Sequence, residues 1–166
     1  FTEVDPEIKC WISPGAHGYE VLSTAIRDSC NYYFNTIGYR LALDANGEYN
    51  DDKGLKALEK YASMYGLDAK SGVEIPETAP RISDLGAAPS AMGQGTNAFS
   101  TAQLARYVST IANGGTCYDL TLIDKITDSS GNILEQEDPQ IHNRVDLPDS
   151  LWNAIHSGML QMAQNN

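Results

Sequence analysis

Positive charge is scarce in this chain. Eleven Lys and Arg stand against 22 Asp and Glu over 166 residues, a formal net charge of −11. A general electrostatic attraction to nucleic acid or anionic lipid is therefore not expected, and the acidity serves solubility. Cysteine is also sparse: Cys10, Cys30 and Cys117 show neither Cys-x-x-Cys spacing nor the cysteine–histidine spacing of zinc sites, so no metal or cofactor is expected. The odd count leaves at least one thiol unpaired in a monomer, and nothing in the sequence says whether Cys10 and Cys117 meet. No run approaches the roughly 20 apolar residues of a membrane span, and Phe1-Thr2-Glu3-Val4-Asp5 has neither the charge nor the apolar run of a signal peptide. One further absence concerns chemistry: no serine is followed by lysine three residues on.

What is present suits one domain, since a chain of this size can bury about two thirds of its unfolded surface. It starts without methionine and stops at Gln164-Asn165-Asn166 just after an amphipathic pattern, so a piece of something longer is expected. Pro6, Pro14, Gly15 and Gly18 predict an irregular opening over residues 1–18. Helical spacing follows in Val21, Leu22, Ala25 and Ile26, and resumes in Tyr33, Phe34, Ile37 and Leu41 with an end near Asn46-Gly47. A third helix is predicted from Asp51-Asp52 to a stop at Gly66. A short alternating segment over Lys70 to Glu77 and a loop of small residues lead to Ser100-Thr101-Ala102-Gln103, a capping box opening a helix that ends at Asn113-Gly114-Gly115. Leu120 to Thr127 and Ile133 to Gln136 predict a hairpin, and a last helix begins near Asp149. The expected organisation is a helical part over 1–115, a hairpin and connection over 116–148, and a C-terminal helix over 149–166.

Two Ser-x-Asn tripeptides occur. Ser130-Gly131-Asn132 lies between apolar runs and reads as a hairpin turn. Ser29-Cys30-Asn31 instead interrupts two helical patterns, where a short loop can aim a hydroxyl and an amide the same way; the plainer reading is a helix N-cap, worth about 1 kcal/mol. Three histidines, His17, His142 and His156, are scattered and favour structural or solvent roles. Gly93-Gln94-Gly95 is too short for a phosphate loop and reads as a tight turn near a cleft rim.

The order of segments resembles the transpeptidase domain of class B penicillin-binding proteins. The resemblance runs through Cys10-Trp11 with His17-Gly18, Ala25-Ile26 into Ser29-Cys30-Asn31-Tyr32-Tyr33-Phe34, Tyr61-Ala62 with Tyr65-Gly66-Leu67, Ser71-Gly72-Val73-Glu74-Ile75-Pro76-Glu77, Met92-Gly93-Gln94-Gly95, Gln103-Leu104-Ala105 and Ile111-Ala112-Asn113-Gly114-Gly115. It implies a mainly α fold with a small β hairpin, the helical subdomain of the penicillin-binding protein and serine β-lactamase-like fold. It also implies a parent D,D-transpeptidase, in which a serine attacks the D-alanyl-D-alanine of a peptidoglycan stem peptide and β-lactams trap that serine.

By this resemblance Ser29 relays a proton between the nucleophile's lysine neighbour and the leaving nitrogen, and Asn31 hydrogen-bonds the acylated backbone. Cys30, pointing inward, is grouped with Tyr32 and Gln94 as substrate-binding residues, one of the Tyr32, Tyr33 and Phe34 rings facing the cleft. The implied parent is membrane-anchored on the extracytoplasmic face of the bacterial membrane, associated with cell-wall synthesis proteins, and binds stem peptides and β-lactams but no nucleic acid. The Ser-x-x-Lys and Lys-Thr/Ser-Gly signatures are expected upstream and downstream, so these residues alone are expected to be inactive. Lys70-Ser71-Gly72 matches a structural landmark rather than the third signature. The alternatives are a non-catalytic β-lactam sensor or partner-binding module of the same fold, and a serine β-lactamase.

Overall fold

The computed structural model describes residues 9–164. The expected irregular character of residues 1–8 lies outside them, while residues 9–18 form turns without helix or strand. Two compact units are interleaved along the chain: Phe1–Tyr61, Ile82–Asn97 and Leu147–Asn166 make the first, and Ala62–Arg81 with Ala98–Asp146 the second. Among the described residues no helix is long and apolar enough to cross a membrane.

The first unit is helical. Helix α1 (Leu22–Arg27) and α2 (Asn31–Ala42) flank the tripeptide, α3 (Asp51–Met64) begins with the predicted acidic turn, and α4 (Ala87–Ser90) is a single turn. Helix α2 stops short of Asn46-Gly47 because Leu43 and Tyr49 form an antiparallel bridge around a turn whose N–H groups at Asn46 and Glu48 donate to the Asp44 carboxylate. Ala42, Leu55 and Ala87 make a small core. Close approach is bought by glycine: a Cβ on Gly38 would lie 2.6 Å from the Ala87 carbonyl oxygen, so α2 seats directly on α4. The last helix, α6 (Asp149–Gln164), lies against α1 through Gly158, whose Cβ would stand 2.6 Å from the Ser23 carbonyl oxygen.

The second unit is organised by polar side chains. Helix α5 (Thr101–Ala112) starts at the predicted capping box: Ser100 accepts from the Gln103 N–H at 3.1 Å and the Gln103 side chain accepts from the Ser100 N–H at 2.8 Å. From α5 the buried Arg106 donates to the carbonyls of Gly66, Ala69 (2.9 Å) and Lys70 (3.0 Å), fixing the chain after α3. Glu77 accepts from the Ser71 N–H at 2.7 Å and from the Ser71 and Ser100 hydroxyls, so Lys70-Ser71-Gly72 is a joint of the fold, with Ser71 buried between two exposed residues. Burial opposes ionisation of Glu77, yet the hydroxyls and N–H around it hold its carboxyl below the usual value.

Two antiparallel strand pairs complete the unit, β1 (Thr116–Tyr118) with β4 (Ile141–Arg144) and β2 (Lys125–Thr127) with β3 (Ile133–Gln136). The second pair is the predicted hairpin, with Asp128 accepting from the N–H groups of Ser130 and Asn132; Ser130-Gly131-Asn132 is thus a turn. Its first strand is shorter than the expected run from Leu120, since the Leu120 N–H donates to the Ser71 carbonyl and Thr121 and Leu122 donate to Glu74. The β1–β4 pair was not foreseen in the sequence. The mainly α architecture with small antiparallel elements is as expected.

Candidate active site

The tripeptide sits at the junction of α1 and α2, and backbone hydrogen bonds define it. The Ser29 N–H donates to the Ile26 carbonyl at 3.2 Å and the Cys30 N–H to the Ala25 carbonyl at 3.0 Å. These paired bonds are a Schellman helix stop, whose penultimate residue takes a left-handed backbone and is usually glycine. Here it is Ser29, at φ 48°, the only non-glycine residue with positive φ among the described residues. Its side chain is exposed. A left-handed L-residue costs about 1–2 kcal/mol, so serine is held here against the local preference.

The N-cap reading fails for Ser29. Cys30 occupies the N-cap position of α2, with no side-chain cap hydrogen bond, and Asn31 is the first helical residue. Cys30 is buried, 4% exposed, while its neighbours on either side are not, so the tripeptide aims its central side chain inward as expected. One turn on, the fully buried Asn35 donates through Nδ2 to the Asn31 carbonyl at 2.8 Å and to Met92 Sδ at 3.2 Å. That bond ties the start of α2 to the loop carrying Gly93-Gln94-Gly95. In the loop Gly93 stops α4 by the same bond pattern, Gly95 leaves room for the Ser83 and Ser90 hydroxyls, and Gln94 is exposed.

Beside the tripeptide lies a cavity of about 950 Å³, walled by Cys30, Tyr32, Tyr33, Ile37 and Arg40 on one side and by residues 9, 10 and 12–20 on the other. Cys30 and Tyr32 line it; Ser29, Asn31 and Gln94 do not. Tyr32 is the open ring, 52% exposed, while Tyr33 packs edge-on against Phe34. Trp11 donates its indole N–H to the Asp28 carbonyl at 2.9 Å, anchoring the 10–20 segment to the end of α1. Sequence spacing suggested no cysteine–histidine cluster, and the structure corrects this: the donor atoms of Cys10, His17 and Cys30 lie within 4.8 Å of one another, because the segment folds back on the start of α2. Burial disfavours the Cys10 thiolate, but the N–H groups of Tyr32, Ile12 and Asn31 hold its thiol below the usual value; burial pushes the Cys30 thiol up. Cys117 is buried in the second unit, its Sγ 3.7 Å from the Tyr65 carbonyl.

The junction thus holds a strained, exposed serine between two anchored helices, with an amide two residues on. The chain belongs to the family described as the penicillin binding protein transpeptidase domain, which it matches over residues 2–166. It is 27% identical to penicillin-binding protein 2A of Bacillus subtilis (strain 168) over 93% of this chain and 23% of that protein. Stage V sporulation protein D of the same organism is 30% identical over 70% of this chain and 17% of its own length. In fold it is similar to penicillin-binding protein A from M. tuberculosis, solved as an imipenem acyl-enzyme complex, with a TM-score of 0.76 at 18% identity over 98% of this chain and 36% of that one. The chain thus spans less than a quarter of the length of these curated relatives.

Proposed function

We propose that this chain is the Ser-x-Asn-bearing part of a peptidoglycan D,D-transpeptidase, a penicillin-sensitive enzyme that cross-links stem peptides through a serine acyl-enzyme on the extracytoplasmic face of the membrane. The observation that carries the reading is Ser29, exposed on a left-handed backbone where glycine is otherwise the residue of choice. A hydroxyl there stands clear of both helices and can pass a proton between a lysine beside the nucleophile and the leaving nitrogen. Asn31, two residues on, hydrogen-bonds the acylated peptide. Tyr32 and Gln94 flank the substrate and Cys30 supports it from the cavity wall. None of the 13 serines in the chain has lysine three residues on, so the nucleophile comes from outside these residues.

Labelled penicillin tests this directly. The longer protein should be acylated one-to-one and the 166-residue chain left unlabelled; stoichiometric labelling of the chain would overturn the assignment. In the longer protein Ser29→Ala should slow acylation about 10²- to 10⁴-fold. An unchanged rate would reduce Ser29 to a helix stop.

A further inference from the structure

We propose that Cys10, His17 and Cys30, completed by Glu20, form a binding site for a borderline-soft divalent cation of the zinc type, beneath the Ser29–Asn31 loop. The inference is independent of the transpeptidase reading. Cys10 Sγ lies 3.7 Å from His17 Nδ1, and one donor from each of Cys10, His17 and Cys30 falls within 4.8 Å of the others. A tetrahedral centre with bonds of about 2.3 Å to sulfur and about 2.1 Å to nitrogen places neighbouring donors about 3.6–3.8 Å apart, so small adjustments bring the three to ligating distance. Two thiolates and an imidazole suit zinc rather than calcium or magnesium, which take oxygen ligands.

Glu20 supplies the independent sign. Its side chain is only 7% exposed and that of His17 8%, and Glu20 Oε1 lies 4.0 Å from the same His17 Nδ1 that faces Cys10. Both Glu20 carboxylate oxygens are buried with no hydrogen-bond donor in place, although the Asp28 carboxyl and the Arg27 charge lie near enough to interact with Glu20. Buried carboxylate oxygens without donors are costly, and a cation at this point would satisfy them. Trp11 packs at a tilt against the His17 ring, centroids 5.4 Å apart. Binding would release the thiol protons to solvent and join the 10–20 segment to the first turn of α2.

The test uses the chain purified metal-free with its thiols verified as reduced, and Zn²⁺ or Co²⁺ alone as probe. One equivalent should bind. Co²⁺ should give a thiolate charge-transfer band and the intense visible bands of a tetrahedral site, and Zn²⁺ should raise the thermal midpoint while a chelator reverses the rise. Cys30→Ser and His17→Gln should weaken Zn²⁺ binding at least about 100-fold, and Glu20→Gln about 10-fold with shifted visible bands. Cys117→Ser should bind as the unaltered chain does. The wild-type measurements stand even where a variant misfolds, which circular dichroism reports. No saturable one-to-one uptake by reduced wild-type chain, tetrahedral cobalt bands surviving in a folded Cys30→Ser, or a Cys10–Cys30 disulfide forming in excess Zn²⁺ would each overturn the proposal.

Discussion

Among the described residues four helices end with the same pair of backbone hydrogen bonds, and three of them place glycine at the left-handed position. Gly66 ends α3 at φ 74°, Gly93 ends α4 at φ 86° and Gly114 ends α5 at φ 76°. Helix α1 ends at Ser29. The contrast separates a stop that only turns the chain from one that also presents a side chain, because the backbone geometry is shared and only the residue differs. It also runs parallel to a second contrast. In the second unit the buried Gln103, Thr110 and Ser71 are hydrogen-bonded, and Arg106 lacks a partner only at Nε. In the first, Asn35 Oδ1, His17 Nε2 and both Glu20 oxygens are buried without one. Unmet polar atoms collect around the tripeptide.

Exchanging residues between these helix stops gives the sharpest trials of the comparison. Gly66→Ser should cost most, about 3 kcal/mol: it combines left-handed strain with a Cβ 2.9 Å from the Arg106 guanidinium, and denaturant midpoints would read it. Gly158→Ala, which forces α6 off the Ser23 carbonyl, should cost about 1–3 kcal/mol by the same measurement. Gly114→Ser meets nothing within 4 Å, so the strain alone, about 1 kcal/mol, should appear. Ser29→Gly should reverse the sign, gaining up to about 1 kcal/mol while acylation of the longer protein falls. Stability lost in Ser29→Gly would break the comparison, because the serine would then be the better helix stop.

The smallest effect expected is one of pH. The folded-state carboxyl of Glu77 is held below its ordinary value, so its contribution is present above the unfolded value of about 4.3 and is lost as pH falls through the lower folded one. Thermal midpoints should drop in that acid window, and Glu77→Gln should flatten the dependence.

Much of the helical frame was legible because it rests on local rules: the acidic first turn of α3, the Gly66 stop and the Ser100–Gln103 capping box are each written in consecutive residues. The β1–β4 pair was not, since Thr116–Tyr118 is too short for a pattern and finds its partner far along the chain. The tripeptide could be picked out by its residues, but not its strain: serine carries no mark of a left-handed backbone as glycine does. The Cys10–His17–Cys30 cluster was hidden for a different reason. Its spacing fits no metal motif, and only the return of residues 10–20 onto α2 brings the donors together.

Asp51 has a consequence for motion. Its carboxylate accepts from the N–H groups of Gly86 and Ala87, at 3.0 and 2.7 Å, and from the Tyr49 hydroxyl, while burial and that carboxylate push the Tyr49 phenol up. A helix of four residues cannot nucleate itself, so α4 borrows its start from the opening turn of α3. Fraying at Asp51 would therefore release residues 86–95 as one cooperative segment, and amide exchange at Gly86, Ala87 and Gln94 should proceed at a shared rate.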